Sequence, residues 1–447
     1  MSLYDELREK HRSFIYHSYE FTEQDGNTLL RFHFSIDEYN FYPGWTFPEE
    51  FSGLSCDREL ADRIAFSLGM AELVSYWKCA CPPTVEVRCG GLTAWEKNWW
   101  KKLYYNGLGE FFYRNGITPD FDAFMTINAP EESPLTAGTN VLIGTLVPIG
   151  GGKDSVVTLE LLKKAGVDIS AYIINPRGAT LGCAAAAGIP EGRIIGPKRT
   201  IDRQLLELNK LGYLNGHTPF SAVVAFSAEL SACVHGLKYI ALSNESSANE
   251  SYVEGKAINH QYSKSTEFER DFREYCERSF GGFSRCPEYF SLLRPWSEWQ
   301  IAREFVKYPQ YFEIFQSCNL GSKTNSWCCN CAKCLYVYIL LAAFLDDDVL
   351  TGIFGCNMLE KQELSGMLDG LALDGEDKPF ECVGTKDEVR LSLEMAWERR
   401  KSAPPALLKH WRELFPEYTP VSLENYFDAD NFVPEPLKYL LGARHEH

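Results

Sequence analysis

Between residues 141 and 166, VLIGTLVPIGGGKDSVVTLELLKKAG sets an apolar run, three consecutive glycines and an amphipathic stretch in immediate succession. Few architectures accommodate that order. A short continuous apolar run such as Val141 to Val147 reads as a strand buried on both faces, the habit of parallel sheets. The stretch after it predicts a helix from about Asp154 to Lys164 that stops at Gly166. Gly150, Gly151 and Gly152 let the backbone turn tightly and bring successive N–H groups onto an anion. The helix start adds its free N–H groups and positive dipole end. Lys153 supplies a point charge and Ser155 a hydroxyl donor. A carboxylate at Asp154 repels bare phosphate, so it is expected to hold Mg²⁺, directly or through water. The segment predicts a phosphate loop, with a purely structural turn as the alternative.

The surroundings have the matching rhythm. ISAYIIN (Ile169 to Asn175), RIIG (Arg193 to Gly196) and KYIALSN (Lys238 to Asn244) read as further strands. The Ala-rich stretch around Cys183 to Ala187 and the long apolar stretch 219–236 read as helices between them. Strands alternating with helices predict an α/β fold with a doubly wound parallel sheet. Three regions are expected. Residues 1–135 form an N-terminal α+β domain and a candidate for substrate binding. Residues 136–335 form the phosphate-loop domain, and 336–447 a mainly helical C-terminal region.

In the first region LLRFHFSI from Leu29 and TVEVRC from Thr84 alternate as strands do. Thr93 with Glu96 forms a capping box, and Trp95, Trp99, Trp100, Leu103 and Tyr104 share one helical face, read as core rather than a stacking platform. INAPEESPLTAGTN, from Ile127, reads as a linker.

The loop fails two common phosphate patterns. Walker A needs a glycine where Val147 stands and Ser or Thr where Asp154 stands; the dinucleotide pattern needs a glycine at Ser155. It resembles instead the PP-loop of the ATP pyrophosphatases, S-G-G-x-D-S, with Gly150 in place of the first Ser. That resemblance implies a PP-loop type of sheet, a grip on the β,γ-pyrophosphate of ATP, and transfer of AMP to a substrate oxygen. It further implies adenine contacts from Ile173, Ile174 and Asn175. Ser243, Asn244, Glu245 and Ser246 end the fourth strand at the edge where ligands bind open α/β sheets, although such polar residues also serve as caps.

Cys318, Cys328, Cys331 and Cys334 have the spacing of a four-thiolate Zn²⁺ site, with Cys329 as an extra thiol. An iron–sulfur cluster and reduced structural cysteines are the alternatives. A similar pattern follows the nucleotide domain in 7-cyano-7-deazaguanine synthases. The segment Arg294 to Gln300 stands where those enzymes carry a Lys-Glu pair that this chain lacks, and Ser297 with Gln300 reads as a capping box.

GGGKDS, SNESSANE (Ser243 to Glu250) and WCCNCAKC (Trp327 to Cys334), with long flanking regions, resemble the UDP-N-acetylmuramoyl-L-alanyl-L-glutamate epimerase family of peptidoglycan synthesis. The resemblance implies ATP- and Mg²⁺-dependent inversion of the terminal L-Glu of UDP-MurNAc-L-Ala-L-Glu to D-Glu, with release of AMP and pyrophosphate. The chemistry is coherent. An ordinary amino-acid Cα–H is too weak an acid for a side-chain base. Adenylating the α-carboxylate withdraws electrons from Cα, and closure of an oxazolone by the preceding amide makes that proton removable. Lys153 and the loop backbone would stabilise charge on pyrophosphate. Glu245, His217 and His260 are candidates for the base, each with an alternative reading as a cap or surface residue. Lys256, Lys264 and Arg270 are candidates for the UDP or carboxylate groups, or solvated helix charges. The rivals are another adenylating ligase, a tRNA thiolase and a non-catalytic nucleotide sensor.

Charge weighs against the thiolase. The 44 Lys and Arg face 61 Asp and Glu, a net −17 with no basic run, so nucleic acid is not an expected partner. The longest apolar run, Leu335 to Leu345, is far short of the ~20 residues a spanning helix needs. The polar start MSLYDELREKHRSF has no signal-peptide core, so a cytoplasmic location and reduced thiols for the 15 cysteines are expected.

Overall fold

A computed structural model describes residues 2–54, 56–253 and 258–442. The N-terminal part is built on a twisted sheet of β1 (Ser13–Gln24), β2 (Asn27–Ile36), β3 (Tyr39–Phe41), β4 (Gly44–Phe47), β5 (Thr84–Val87) and β6 (Thr126–Asn128). β1 and β2 pair as a long antiparallel hairpin, and β5 and β6 extend the sheet in parallel from β1. The helix Arg58–Trp77 covers one face and is buried along nearly its whole length. Its N-cap is Asp57, whose side chain accepts from Leu60 N. The helix Ala94–Gly107 starts at the expected capping box of Thr93 and Glu96, and Trp99, Trp100, Leu103 and Tyr104 are core.

The second sheet contains β7 (Thr145–Pro148), β8 (Ile169–Tyr172) and β9 (Ile194–Ile195). β10 (Lys198–Thr200) follows at once but leaves this sheet and pairs antiparallel with β4 of the first. β11 (Tyr239–Leu242) and β12 (Glu288–Ser291) complete the second sheet in the order β12-β11-β7-β8-β9, every pair parallel. Helices lie on both faces. Phe220–Val234 packs with Arg58–Trp77 on one side, and Lys153–Lys164 with Glu298–Phe305 on the other. The alternate residues Leu146 and Val147 accordingly fall into two different apolar clusters. β12 was not among the strands read from the sequence.

Two boundaries differ from the sequence reading. Val141 and Ile143 are 87% and 68% exposed, not strand. Gly144 at φ +84° turns the chain before β7 begins, and Ile143 N bonds Gly236 O outside the sheet. The linker begins after Asn128, because Ile127 and Asn128 belong to β6. Its irregular backbone is pinned: Asn140 N donates to Ser284 O at 2.9 Å, and Arg285 Nη1 to Thr136 O at 3.0 Å.

After Ser291 the described residues contain helices and no strand. Ala332–Ala342 runs through the centre of this region, against Lys386–Arg400. Its Leu335, Ile339 and Leu340 share a core with Val147, Ile149 and Val156 around the glycine loop. No described helix is long and apolar enough to cross a membrane.

Candidate active site

In a parallel sheet of this order the chain reverses direction between β7 and β11, and a crevice opens beyond their carboxyl ends. A polar cavity of about 270 Å³ lies there, lined by Gly150 and Asp154 after β7, Lys264 after β11, and Arg177, Lys333 and Cys382. Three cations from segments far apart in sequence thus converge in a strongly acidic chain. Neither Arg177 nor Lys333 was singled out from the sequence, since no local run marks them.

The glycine loop is built as its residues require. Gly151 sits at φ +85°, and a Cβ there would stand 3.1 Å from Ala179 Cβ. Gly152 is the N-cap of the helix Lys153–Lys164. Ser155 Oγ donates to the Gly152 carbonyl at 2.9 Å, so the hydroxyl closes the first turn. Lys153 is buried, and its ammonium bonds both Asp154 and Glu298. Burial would lower its pKa, but those two carboxylates outweigh it and keep the group charged. Asp154 reaches the cavity; burial acts to raise its carboxyl, while Lys153, Lys333 and Lys264 hold it below the usual range. Glu298 is pushed up to about 7, by burial first and by Asp154 next. It stands in the expected capping box of Ser297 and Gln300, at the position after the cap. The sequence reading saw the box and missed the ion pair beside it.

Glu245 is buried, and burial and then Asp154 raise its carboxyl. It does not line the cavity, but its carbonyl accepts from Arg294, which also bonds the Lys264 carbonyl and Glu269. Arg294 thereby locks the loop after β11 to the turn that carries Lys264. Ser243 Oγ is buried and has no partner among the described residues. Asn244 Nδ2 donates to Ser291 Oγ at 3.0 Å, joining β11 to β12. Ile173 N bonds Ile195 O. Ile174 and Asn175 follow β8 at the same edge without lining the cavity, and Asn175 Oδ1 accepts from Arg199 N at 2.9 Å.

His217 and His260 lie side by side, ring centroids 4.4 Å apart, around the carboxylate of Glu110. Arg270 lies away from the cavity and pairs with Asp430 at the surface. Lys256 falls outside the described residues.

The Sγ atoms of Cys318, Cys328, Cys331 and Cys334 all lie within 4.8 Å of one another, with Cys328 and Cys334 at 3.7 Å. A tetrahedral ion with bonds of about 2.3 Å needs sulfurs roughly that far apart. Cys329 turns away at φ +51° and donates to Phe354 O at 3.2 Å. The segment leading into the cluster docks on the glycine loop through Gln316 N to Gly151 O at 2.7 Å, and Cys318 itself lines the cavity.

Comparison with known proteins identifies the family of the chain. The family model described as the MurL N-terminal domain matches residues 5–292, and that of the MurL C-terminal domain residues 314–425. A protein of Xanthomonas oryzae pv. oryzae named UDP-N-acetyl-alpha-D-muramoyl-L-alanyl-L-glutamate epimerase is 35% identical over 363 residues, 78% of each chain. One of the same name from Salinispora tropica is 32% identical over 465 residues, 96% of this chain and 98% of its own. A third, from Micromonospora sp., is 34% identical over 74% of each chain. No solved structure matches significantly. With family models matched to both halves and relatives spanning nearly its full length, the chain belongs to the MurL family.

Proposed function

We propose that the protein is an isomerase that inverts the terminal L-Glu of UDP-MurNAc-L-Ala-L-Glu to D-Glu, in peptidoglycan precursor synthesis. It works through an acyl-adenylate at the expense of ATP, with AMP and pyrophosphate released. The substrate follows from the names of the relatives. The ATP half rests on one observation: a PP-loop-like glycine turn floors a cavity walled by Arg177, Lys264 and Lys333 at the sheet's switch point.

The residues present fit these ligands. The cations and the turn at Gly150 suit a polyphosphate, and the unpartnered Ser243 hydroxyl stands after β11 where a nucleotide would lie. Asp154 is the carboxylate that would hold Mg²⁺, which supplies charge neutralisation on the leaving pyrophosphate. The four cysteines suit Zn²⁺ in a structural role. Arg177, Lys264 and Lys333 then orient the phosphates and the reacting carboxylate. Lys153, locked between Asp154 and Glu298, holds the loop's acidic groups in place from behind. With the carboxylate activated, the neighbouring amide oxygen closes the oxazolone and the Cα proton becomes labile.

Incubation with ATP, Mg²⁺ and UDP-MurNAc-L-Ala-L-Glu in D₂O tests the whole reading. D-Glu carrying deuterium at Cα, formed with AMP, is the expected result. Unchanged L-Glu with intact ATP would overturn it, and product only with added ammonia would favour a ligase.

A further inference from the structure

The cavity has a wall that the adenylation chemistry leaves unused. Cys382, in the loop before the helix Lys386–Arg400, lines it together with Gly150, Asp154 and Lys264. Its Sγ accepts from Lys264 Nζ at 3.2 Å, and its backbone carbonyl accepts from Lys333. Behind it stands His260, whose Nδ1 lies 2.5 Å from Glu110 Oε2. Glu110 is fixed in turn by Arg114 Nε, 2.5 Å from its other oxygen, and His217 lies 3.6 Å from the shared one. Glu110 and His260 thus form a hydrogen-bonded pair, and the imidazole interacts in turn with the Cys382 side chain at the cavity wall.

The charges around Cys382 favour the thiolate. Burial would raise the Cys382 thiol, but Lys264, His260 and Lys333 outweigh it and bring it down to about 5. Burial lowers His260, yet Cys382 and Glu110 prevail and lift it to about 9. His217 is driven the other way, to about 4, by burial and then by its charged neighbour His260. Buried thiols elsewhere, such as Cys79 and Cys183, are pushed up to about 12. Lys264 is held protonated by Cys382 and Glu245 against its burial, so it has no lone pair with which to accept a proton.

We infer that Cys382 is the base that removes the Cα proton, with His260 and Glu110 as its positioning pair. This rests on the epimerase reading above. The Cα–H bond of the activated glutamyl residue breaks, its proton forms an S–H bond on Cys382, and the electron pair passes into the adjoining activated carbonyl. Solvent water protonates Cα on the opposite face. The thiol then returns its proton to the hydroxide left behind.

The test uses the full chain with UDP-MurNAc-L-Ala-L-Glu. In the Cys382→Ala variant, epimerisation is expected to fall far more than substrate-dependent exchange of labelled pyrophosphate into ATP. D-Glu formation and deuterium entry at Cα should fall by about 10²–10⁴-fold. Epimerisation at the wild-type rate, or loss of pyrophosphate exchange along with it, would overturn the assignment. An inert wild-type protein overturns the epimerase reading and the base with it, whereas an active wild type with an active Cys382→Ala overturns the base alone. A second measurement needs no disruptive change. Iodoacetamide should alkylate Cys382 in the wild type at a rate nearly flat from pH 9 to pH 6, and abolish epimerisation. His260→Gln should steepen that pH profile and lower kcat more than KM, and an unchanged profile would refute the positioning role.

Discussion

Lys153 shows how little a side chain's identity says about its task. Its ammonium is enclosed by Asp154 and Glu298, so removing it leaves two carboxylates facing each other in a buried place. Breaking such a buried pair costs about 3–5 kcal/mol. Lys153→Met is therefore expected to lower the unfolding free energy measured in urea by that much, where loss of an exposed phosphate contact would leave it unmoved. Glu49 gives a cleaner titration. Burial pushes its carboxyl up to about 7, against roughly 4.3 in an unfolded chain. Between those values the folded protein keeps a proton that the unfolded chain has released, so this group's contribution to stability falls as pH rises through the window. Glu49→Gln should match the wild type near pH 4 and exceed its stability at pH 8 by roughly 1–3 kcal/mol, measured by urea unfolding at both values.

At the scale of the element, the helix Arg58–Trp77 lies so close on the hairpin β1–β2 that a Cβ at Gly69 would sit 1.9 Å from Tyr16 Oη. Gly69→Ala is expected to destabilise by about 1–3 kcal/mol through overpacking, although alanine is the better helix former. In the glycine loop, Gly151→Ala meets both a left-handed backbone and the neighbouring Ala179. Strain of about 1–2 kcal/mol should appear as an ATP affinity lowered roughly 5- to 30-fold by calorimetry. Elements with an end signal were legible in the sequence: Thr93 with Glu96, Ser297 with Gln300, and the stop at Gly166 all lie where local chemistry put them. β12 and β10 were not: each is held by the strand it pairs with, β12 by β11 and β10 by β4 of the other sheet.

Across the whole molecule, the cysteine cluster and the cavity form one structural unit. Asn319, Ser322 and Asn325, on the loop closed by Cys318 and Cys328, wall the cavity. About one zinc per chain is expected by elemental analysis. Its removal by a chelator should lower the Tm and raise the KM for ATP together, and a fall in Tm alone would separate cluster from site. The two sheets are also tied: β10 completes the first, and Trp99, Trp100, Phe226 and Tyr275 share one core. A fragment beginning at residue 136 would expose that core, so it is expected to be insoluble.

What the sequence determined by itself was local: a strand, a glycine turn and a helix in register at residues 145–164, four thiols at metal spacing, and the caps that start the helices. These depend on neighbours a few residues apart. The convergence of Arg177, Lys264 and Lys333, the enclosure of Lys153 by Glu298, and the meeting of Glu110, His260 and Cys382 were decided only by the tertiary structure. Cys382 and Glu110 are 272 positions apart. Charges so distant in sequence act on one another only once the sheet, the buried helices and the C-terminal loop have excluded the water between them.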